Sequence, residues 1–212
     1  VVRADGALLY TYTSFLGDAA PRIEIAAPGE PSRPLVRGAS YPAPTSDGER
    51  LVYVRSSARG DALYVSAADG SAAREIIGVE RFLALAYPRV APDGAHVAFA
   101  ATVDVPMPDP NGLPELCARG PAPPLANARA LRPAARPLRR LARPSGCGEP
   151  SGHGLPWDLF TVRLDGSDLR RISNLLEDDP SLAWSPDGRW LALQGGNGLL
   201  AVEVASGRVE RL

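Results

Sequence analysis

The stretch Ser181-Leu182-Ala183-Trp184-Ser185-Pro186-Asp187-Gly188, followed by Leu191-Ala192-Leu193, sets two short apolar runs on either side of an Asp-Gly turn. Glycine accepts positive φ and aspartate bonds its own backbone, so the dipeptide favours a tight hairpin. The proline before it presets φ and ends the first strand. Upstream the pattern recurs as Tyr41-Pro-Ala-Pro-Thr-Ser-Asp47-Gly48 before Leu51-Val-Tyr-Val, and as Tyr87-Pro-Arg-Val-Ala-Pro-Asp93-Gly94 before Val97-Ala-Phe-Ala. At Arg3-Ala4-Asp5-Gly6 only the turn survives. One copy cannot bury its own apolar face and several together can, so the recurrence decides the architecture.

A second hairpin follows in every unit. Leu63-Tyr-Val leads through Asp69-Gly70 to Ala73-Arg-Glu-Ile-Ile, and Leu159-Phe-Thr-Val through Asp165-Gly166 to Leu169-Arg-Arg-Ile. Leu199-Leu-Ala-Val leads through Ser206-Gly207 to Val209-Glu-Arg-Leu, and Ile23-Glu-Ile through Pro28-Gly29 to Pro34-Leu-Val. Each unit therefore reads as four short strands, a to d. The turns at Asp5, Asp47 and Asp93 stand about 42 and about 46 residues apart, the length of a four-stranded propeller blade. The next interval is about 94 residues, one blade plus an insertion of roughly 50. Only Val79–Ala86 and part of the insertion have helical composition.

The pattern Trp-Ser-Pro-Asp-Gly, apolar strand, Leu-Tyr/Phe, Asp-Gly, then Arg-x-Ile resembles the TolB-type β-propeller repeat. Asp179 to Leu193 carry it most fully; Pro44 and Val90 stand where the second and third units lack the tryptophan. The resemblance covers the chain outside the insertion. It implies an all-β propeller of four-stranded antiparallel blades, with blades at about 1–38, 39–78, 87–173 and 179–212. Such propellers have six blades or more, so it also implies further blades in the same full-length chain. A self-closed four-bladed ring is the runner-up. Val1 falls inside a repeat, which leads us to expect sequence upstream.

Residues 104–156 break the pattern within the third blade. They are rich in proline and carry Arg129, Arg132, Arg136, Arg139, Arg140 and Arg143. In an antiparallel blade the a–b and c–d turns share one face and the b–c and d–a connections the other. All Asp-Gly turns thus fall on one face, and the insertion lies opposite with Glu177-Asp178-Asp179. Long loops on rigid scaffolds often carry function. The arginines read either as a contact for an acidic partner or as a solvated basic segment.

Net charge is −1 and pI about 6.2, which argues against a dedicated nucleic-acid binder. All 23 cationic residues are arginine, as a GC-rich coding sequence produces. No apolar run approaches the roughly 20 residues needed to cross a bilayer as a helix. Cys117 and Cys147 flank the proline-rich stretch and read either as a disulfide, implying an oxidising compartment, or as two free thiols.

No catalytic constellation is legible. There is no Gly-x-Ser-x-Gly elbow, and His96 and His153 lie at a strand start and in a flexible loop. Glu177, Asp178 and Asp179 invite a calcium reading, but neighbours on an extended segment point in alternate directions. A loop or capping role suits them better, and no metal or cofactor is expected. Tyr41 and Tyr87 share one repeat position near the channel mouth, and Trp157 closes the insertion; packing and ligand contact are both open to them. Asp47-Gly48, Asp93-Gly94 and Asp187-Gly188 are structural turns. The expectation is a non-catalytic binding or scaffolding propeller with a protein partner, using the insertion face. The resemblance implies an extracytoplasmic setting. The alternatives are the gating propeller of a prolyl-oligopeptidase-type serine peptidase and the sensor domain of a membrane-tethered signalling protein.

Overall fold

The computed structural model describes residues 1–3, 5–14, 20–102, 157–175, 177 and 179–212. They form fifteen strands in four sheets and, among the described residues, no helix. Sheet 1 comprises β1 (Leu8–Tyr12), β2 (Arg22–Ala26) and β3 (Arg33–Arg37). Sheet 2 comprises β4 (Ser40–Pro44), β5 (Arg50–Ser57), β6 (Gly60–Ala67) and β7 (Arg74–Ile77). Sheet 3 comprises β8 (Ala84–Val90), β9 (His96–Thr102), β10 (Asp158–Arg163) and β11 (Arg170–Arg171). Sheet 4 comprises β12 (Ser181–Trp184), β13 (Trp190–Gly195), β14 (Gly198–Glu203) and β15 (Val209–Arg211). Within each sheet the strands follow chain order and pair antiparallel, the arrangement of a propeller blade.

The Asp-Gly turns share one geometry. The Oδ1 atoms of Asp47, Asp93 and Asp187 accept the backbone N–H two residues on, from Glu49, Ala95 and Arg189, at 2.9, 2.8 and 3.1 Å. Asp5, Asp69 and Asp165 do the same to Ala7, Ser71 and Ser167. Gly48, Gly94 and Gly188 take φ of 73°, 65° and 69°, the left-handed region where a Cβ is costly. Thr45 and Ser185 add a hydroxyl that donates to Asp47 and Asp187 and accepts from the N–H of Arg50 and Trp190. Those hydroxyls, then the backbone N–H groups, hold the two carboxyls below their ordinary range.

Backbone bonds join the a–b turn to the c–d turn within sheets 2, 3 and 4: Ala68 N–H to Glu49 O, Leu164 N–H to Ala95 O, and Val204 N–H to Arg189 O. All these turns therefore lie on one face. The ends of β9 and β10 that flank 103–156 lie on the other.

Sheet 1 departs from the four-strand expectation. Its strand a is a remnant, Val1–Arg3, held by the N–H groups of Leu9 and Arg3 on the carbonyls of Val1 and Ala7, each at 2.8 Å. Its turn is also one residue shorter: Arg3 pairs with Ala7, whereas Thr45, Ala91 and Ser185 pair with Arg50, His96 and Trp190. A one-residue change flips strand parity. Leu9 accordingly faces sheet 2, although it stands one position nearer its aspartate than Val52 does to Asp47.

Three cores lie between successive sheets. Leu9, Ile23 and Ile25 meet Leu51 and Tyr53 between sheets 1 and 2. Val52, Val54, Leu63 and Val65 meet Val97, Phe99, Phe160 and Val162 between sheets 2 and 3. Ala98, Ala100 and Leu159 meet Leu182, Leu191, Leu193 and Val202 between sheets 3 and 4. Among the described residues no core joins sheet 4 to sheet 1.

Val79–Ala86 does not form the helix its composition allows. Turn and bend residues lead into β8 at Ala84. Eight residues are too few to offset helix nucleation. Instead Phe82 is buried edge-on against Phe99 and Phe160, at centroid distances of 5.6 and 4.8 Å. Among the described residues no helix is long and apolar enough to cross a membrane.

Candidate binding site at the channel mouth

Strand a of each sheet runs along the propeller axis, and β4, β8 and β12 touch in succession there. Two of these strands carry the same irregularity. Register slips by one residue between Ser40 and Ala43 in β4, and between Ala86 and Arg89 in β8. The residues responsible, Tyr41 and Tyr87, both have φ of 55°. Each precedes a buried proline. Asp179, immediately before β12 and also followed by a buried proline, has φ of 47°. Positive φ in a bulky residue is an outlier costing about 1–3 kcal/mol.

These bulges turn the side chains toward one another. The Tyr41 and Tyr87 rings meet edge to face with centroids 4.9 Å apart. The Tyr87 hydroxyl donates to a carboxylate oxygen of Asp179. Trp157 stands 6.4 Å from the Tyr87 ring. The Tyr41 N–H donates to Thr11 Oγ1 at 2.9 Å, tying the cluster to sheet 1. Burial, then the Asp179 bond, pushes the Tyr87 phenol well above its ordinary pKa. The phenol stays protonated and acts as a fixed donor, while Asp179 itself remains exposed.

Glu177 lies beneath this surface. It is 1% exposed, and its carboxylate accepts from the side-chain amide of Asn197 at 2.9 Å and from the Asn197 N–H at 3.2 Å. Its backbone exchanges two hydrogen bonds of 2.8 Å with Trp157, fixing the point where the chain re-enters sheet 3. It passes so close to Gly195 that a Cβ there would lie 2.4 Å from Glu177 Oε2. Glu177 thus caps the β13–β14 hairpin, and its packing explains why Gly195 carries no side chain.

Two residues after Tyr87, Arg89 donates to Leu182 O at 3.0 Å and to Pro88 O at 2.9 Å, while Trp184 Nε1 donates to Arg89 O at 2.9 Å. These bonds lock β8 to β12, and burial lowers the arginine's pKa.

Tyr41, Tyr87, Trp157 and Asp179 therefore converge on the insertion face, and Glu177 supports them. Asp47-Gly48, Asp93-Gly94 and Asp187-Gly188 lie on the opposite face. Asp178, Arg136, Arg139, Arg140, Cys117 and Cys147 lie outside the described residues. Sequence reasoning missed Thr11 and Arg89; the proline after each positive-φ residue was the available signal. Among the described residues no group of three or more His, Cys, Asp and Glu side chains could hold a metal.

No family model and no curated protein matches the sequence. Solved structures do match the fold. TolB from Acinetobacter baumannii superposes with a TM-score of 0.64 at 15% identity, over 97% of this chain and 41% of its own. A chain of the nidogen/laminin complex superposes with a TM-score of 0.61 at 12% identity, over 98% and 60%. Puromycin hydrolase superposes with a TM-score of 0.55 at 19% identity, over 99% and 29%. The fold is a TolB-like β-propeller, and the chain spans less than two thirds of each of these proteins.

Proposed function

We propose that this propeller is a non-catalytic binding or scaffolding domain whose partner is a protein. The recognition surface is the channel mouth formed by Tyr41, Tyr87, Trp157 and Asp179, together with the 104–156 segment that departs from the same face. The convergence of Tyr41, Tyr87 and Asp179, each held at positive φ before a proline, carries this reading. Strained, partly exposed aromatics beside an exposed carboxylate suit the anchored, polar-rimmed contacts of protein interfaces. Further blades of the full-length chain cover the open edges of sheets 1 and 4. The resemblance to the TolB-type repeat supports an extracytoplasmic setting, and a Cys117–Cys147 disulfide would agree with it.

The test is affinity capture with the wild-type chain and with a Tyr41→Ala/Tyr87→Ala variant whose fold is verified by circular dichroism. A partner enriched by the wild type and lost with the variant supports the reading. Equal enrichment by both contradicts it. The second reading, the gating propeller of a serine peptidase, is favoured by the likeness to puromycin hydrolase. A Gly-x-Ser-x-Gly elbow in the same reading frame would favour it.

A further inference from the structure

On the Asp-Gly-turn face, away from the tyrosine cluster, a cleft of about 260 Å³ opens between sheets 3 and 4. Ala91, Thr161, Asp168 and Arg170 line it from sheet 3, and Trp184 and Asp187 from sheet 4. Ala91 stands where Thr45 and Ser185 close the turn in sheets 2 and 4. Lacking that hydroxyl, the turn uses His96, whose N–H and Nδ1 meet the two Asp93 oxygens at 3.1 and 2.6 Å. Asp93 and His96 are thereby satisfied.

Three other groups in the cleft have no partner among the described residues. Thr161 is 5% exposed. Its cross-strand neighbour is Ala98, which lies in the core between sheets 3 and 4, so its side chain points between those sheets. Among the described residues its hydroxyl has no hydrogen-bond partner, and it is not one of the enclosed partnerless polar atoms, so it opens onto the cleft. Asp168, exposed, and Arg170, half-buried, make no hydrogen bond or ion pair among the described residues and are open to a ligand. The backbone does not demand the Asp168 carboxylate. In sheet 2 the matching turn position is Ala72, at φ 51° against 53° for Asp168. The Trp184 N–H is already spent on Arg89 O, which leaves its ring as an apolar wall.

We propose that this cleft is a second ligand site, for a small zwitterion of the free α-amino-acid class. Asp168 receives the ammonium, Arg170 the carboxylate, Thr161 a hydrogen bond at the floor, and Trp184 the apolar body. The volume lies just below the roughly 300 Å³ at which ordinary ligand sites begin, so it admits an amino acid and excludes a folded partner.

The test titrates free L-amino acids, one at a time, into the 212-residue chain and follows the indole N–H resonances by NMR. Each binder is compared with its amide and its N-acetyl derivative, which lack one of the two charges. Asp168→Asn tolerates left-handed backbone and removes only the charge; Arg170→Gln removes the other. At least one amino acid should give a saturable shift. Each one-charge analogue and each variant should weaken it about tenfold or more, the effect of a lost charged hydrogen bond. Melting curves of both variants should match the wild type. No saturable shift with any amino acid overturns the proposal. So does an analogue that binds as well as its parent, or binding unchanged in both variants.

Discussion

The Tyr87 hydroxyl donates to the carboxylate of Asp179, a residue 92 positions further along the chain, and so joins the mouths of sheets 3 and 4. Neither residue is buried in the core, yet both sit at positive φ. Tyr87→Phe removes this bond without changing the ring, and should destabilise the chain by about 1 kcal/mol. The melting temperature should fall by roughly 2–4 °C. In a double-mutant cycle with Asp179→Asn measured by urea unfolding, the two changes should couple; strict additivity would show that the contact contributes nothing.

Glu177 and Gly195 form a packed pair. Gly195→Ala forces a methyl against the Glu177 carboxylate and should cost about 1–3 kcal/mol, the range for overpacking. Gly198 meets nothing within 4 Å of an added Cβ, but its φ is 95°. Glu177→Ala strands the Asn197 donors and should cost a similar ~1–3 kcal/mol. Chemical denaturation of both variants checks the pair, and a neutral Gly195→Ala would refute the close approach.

Phe160 is fully buried between Phe82 and Phe99. Phe160→Ala should cost about 3–5 kcal/mol, several times any channel-mouth substitution. A urea midpoint shifted no more than that of Tyr87→Phe would contradict the placement of the core between sheets 2 and 3.

Acid should weaken the fold through its turns. Hydroxyl and backbone hydrogen bonds hold Asp47, Asp69, Asp165 and Asp187 below their ordinary pKa. A depressed native pKa gives stability that is complete above the unfolded value, near ~3.9 for aspartate, and lost as pH falls through the native values. Urea midpoints measured from pH 7 downward should therefore stay level until about pH 4–5 and then decline. A midpoint unchanged at pH 2 would show that these bonds do not favour the ionised carboxylates.

The strands were legible because each Asp-Gly turn fixes φ, a local demand that a sequence states openly. The helical composition of Val79–Ala86 misled because tertiary burial of Phe82 outweighed a marginal local preference. Asp179 illustrates a different limit. Aligning the chain on Asp-Gly places Ser181 opposite Tyr41 and Tyr87. The positive-φ residue before a proline in sheet 4 is Asp179, eight positions from Asp187, whereas Tyr41 and Tyr87 stand six from Asp47 and Asp93, so Asp179 meets Tyr87 out of that alignment. The cleft at Thr161 was hidden for a similar reason: its walls come from residues scattered between Ala91 and Val204, and no spacing rule links them.

The proposed docking of a protein partner on the tyrosine face is open to a direct test. A photo-crosslinking amino acid placed at Tyr41, and separately at Glu49 on the Asp-Gly-turn face, tests it most directly. A discrete protein adduct should form from position 41 and none from position 49. An adduct only from position 49, or from neither position, would contradict it.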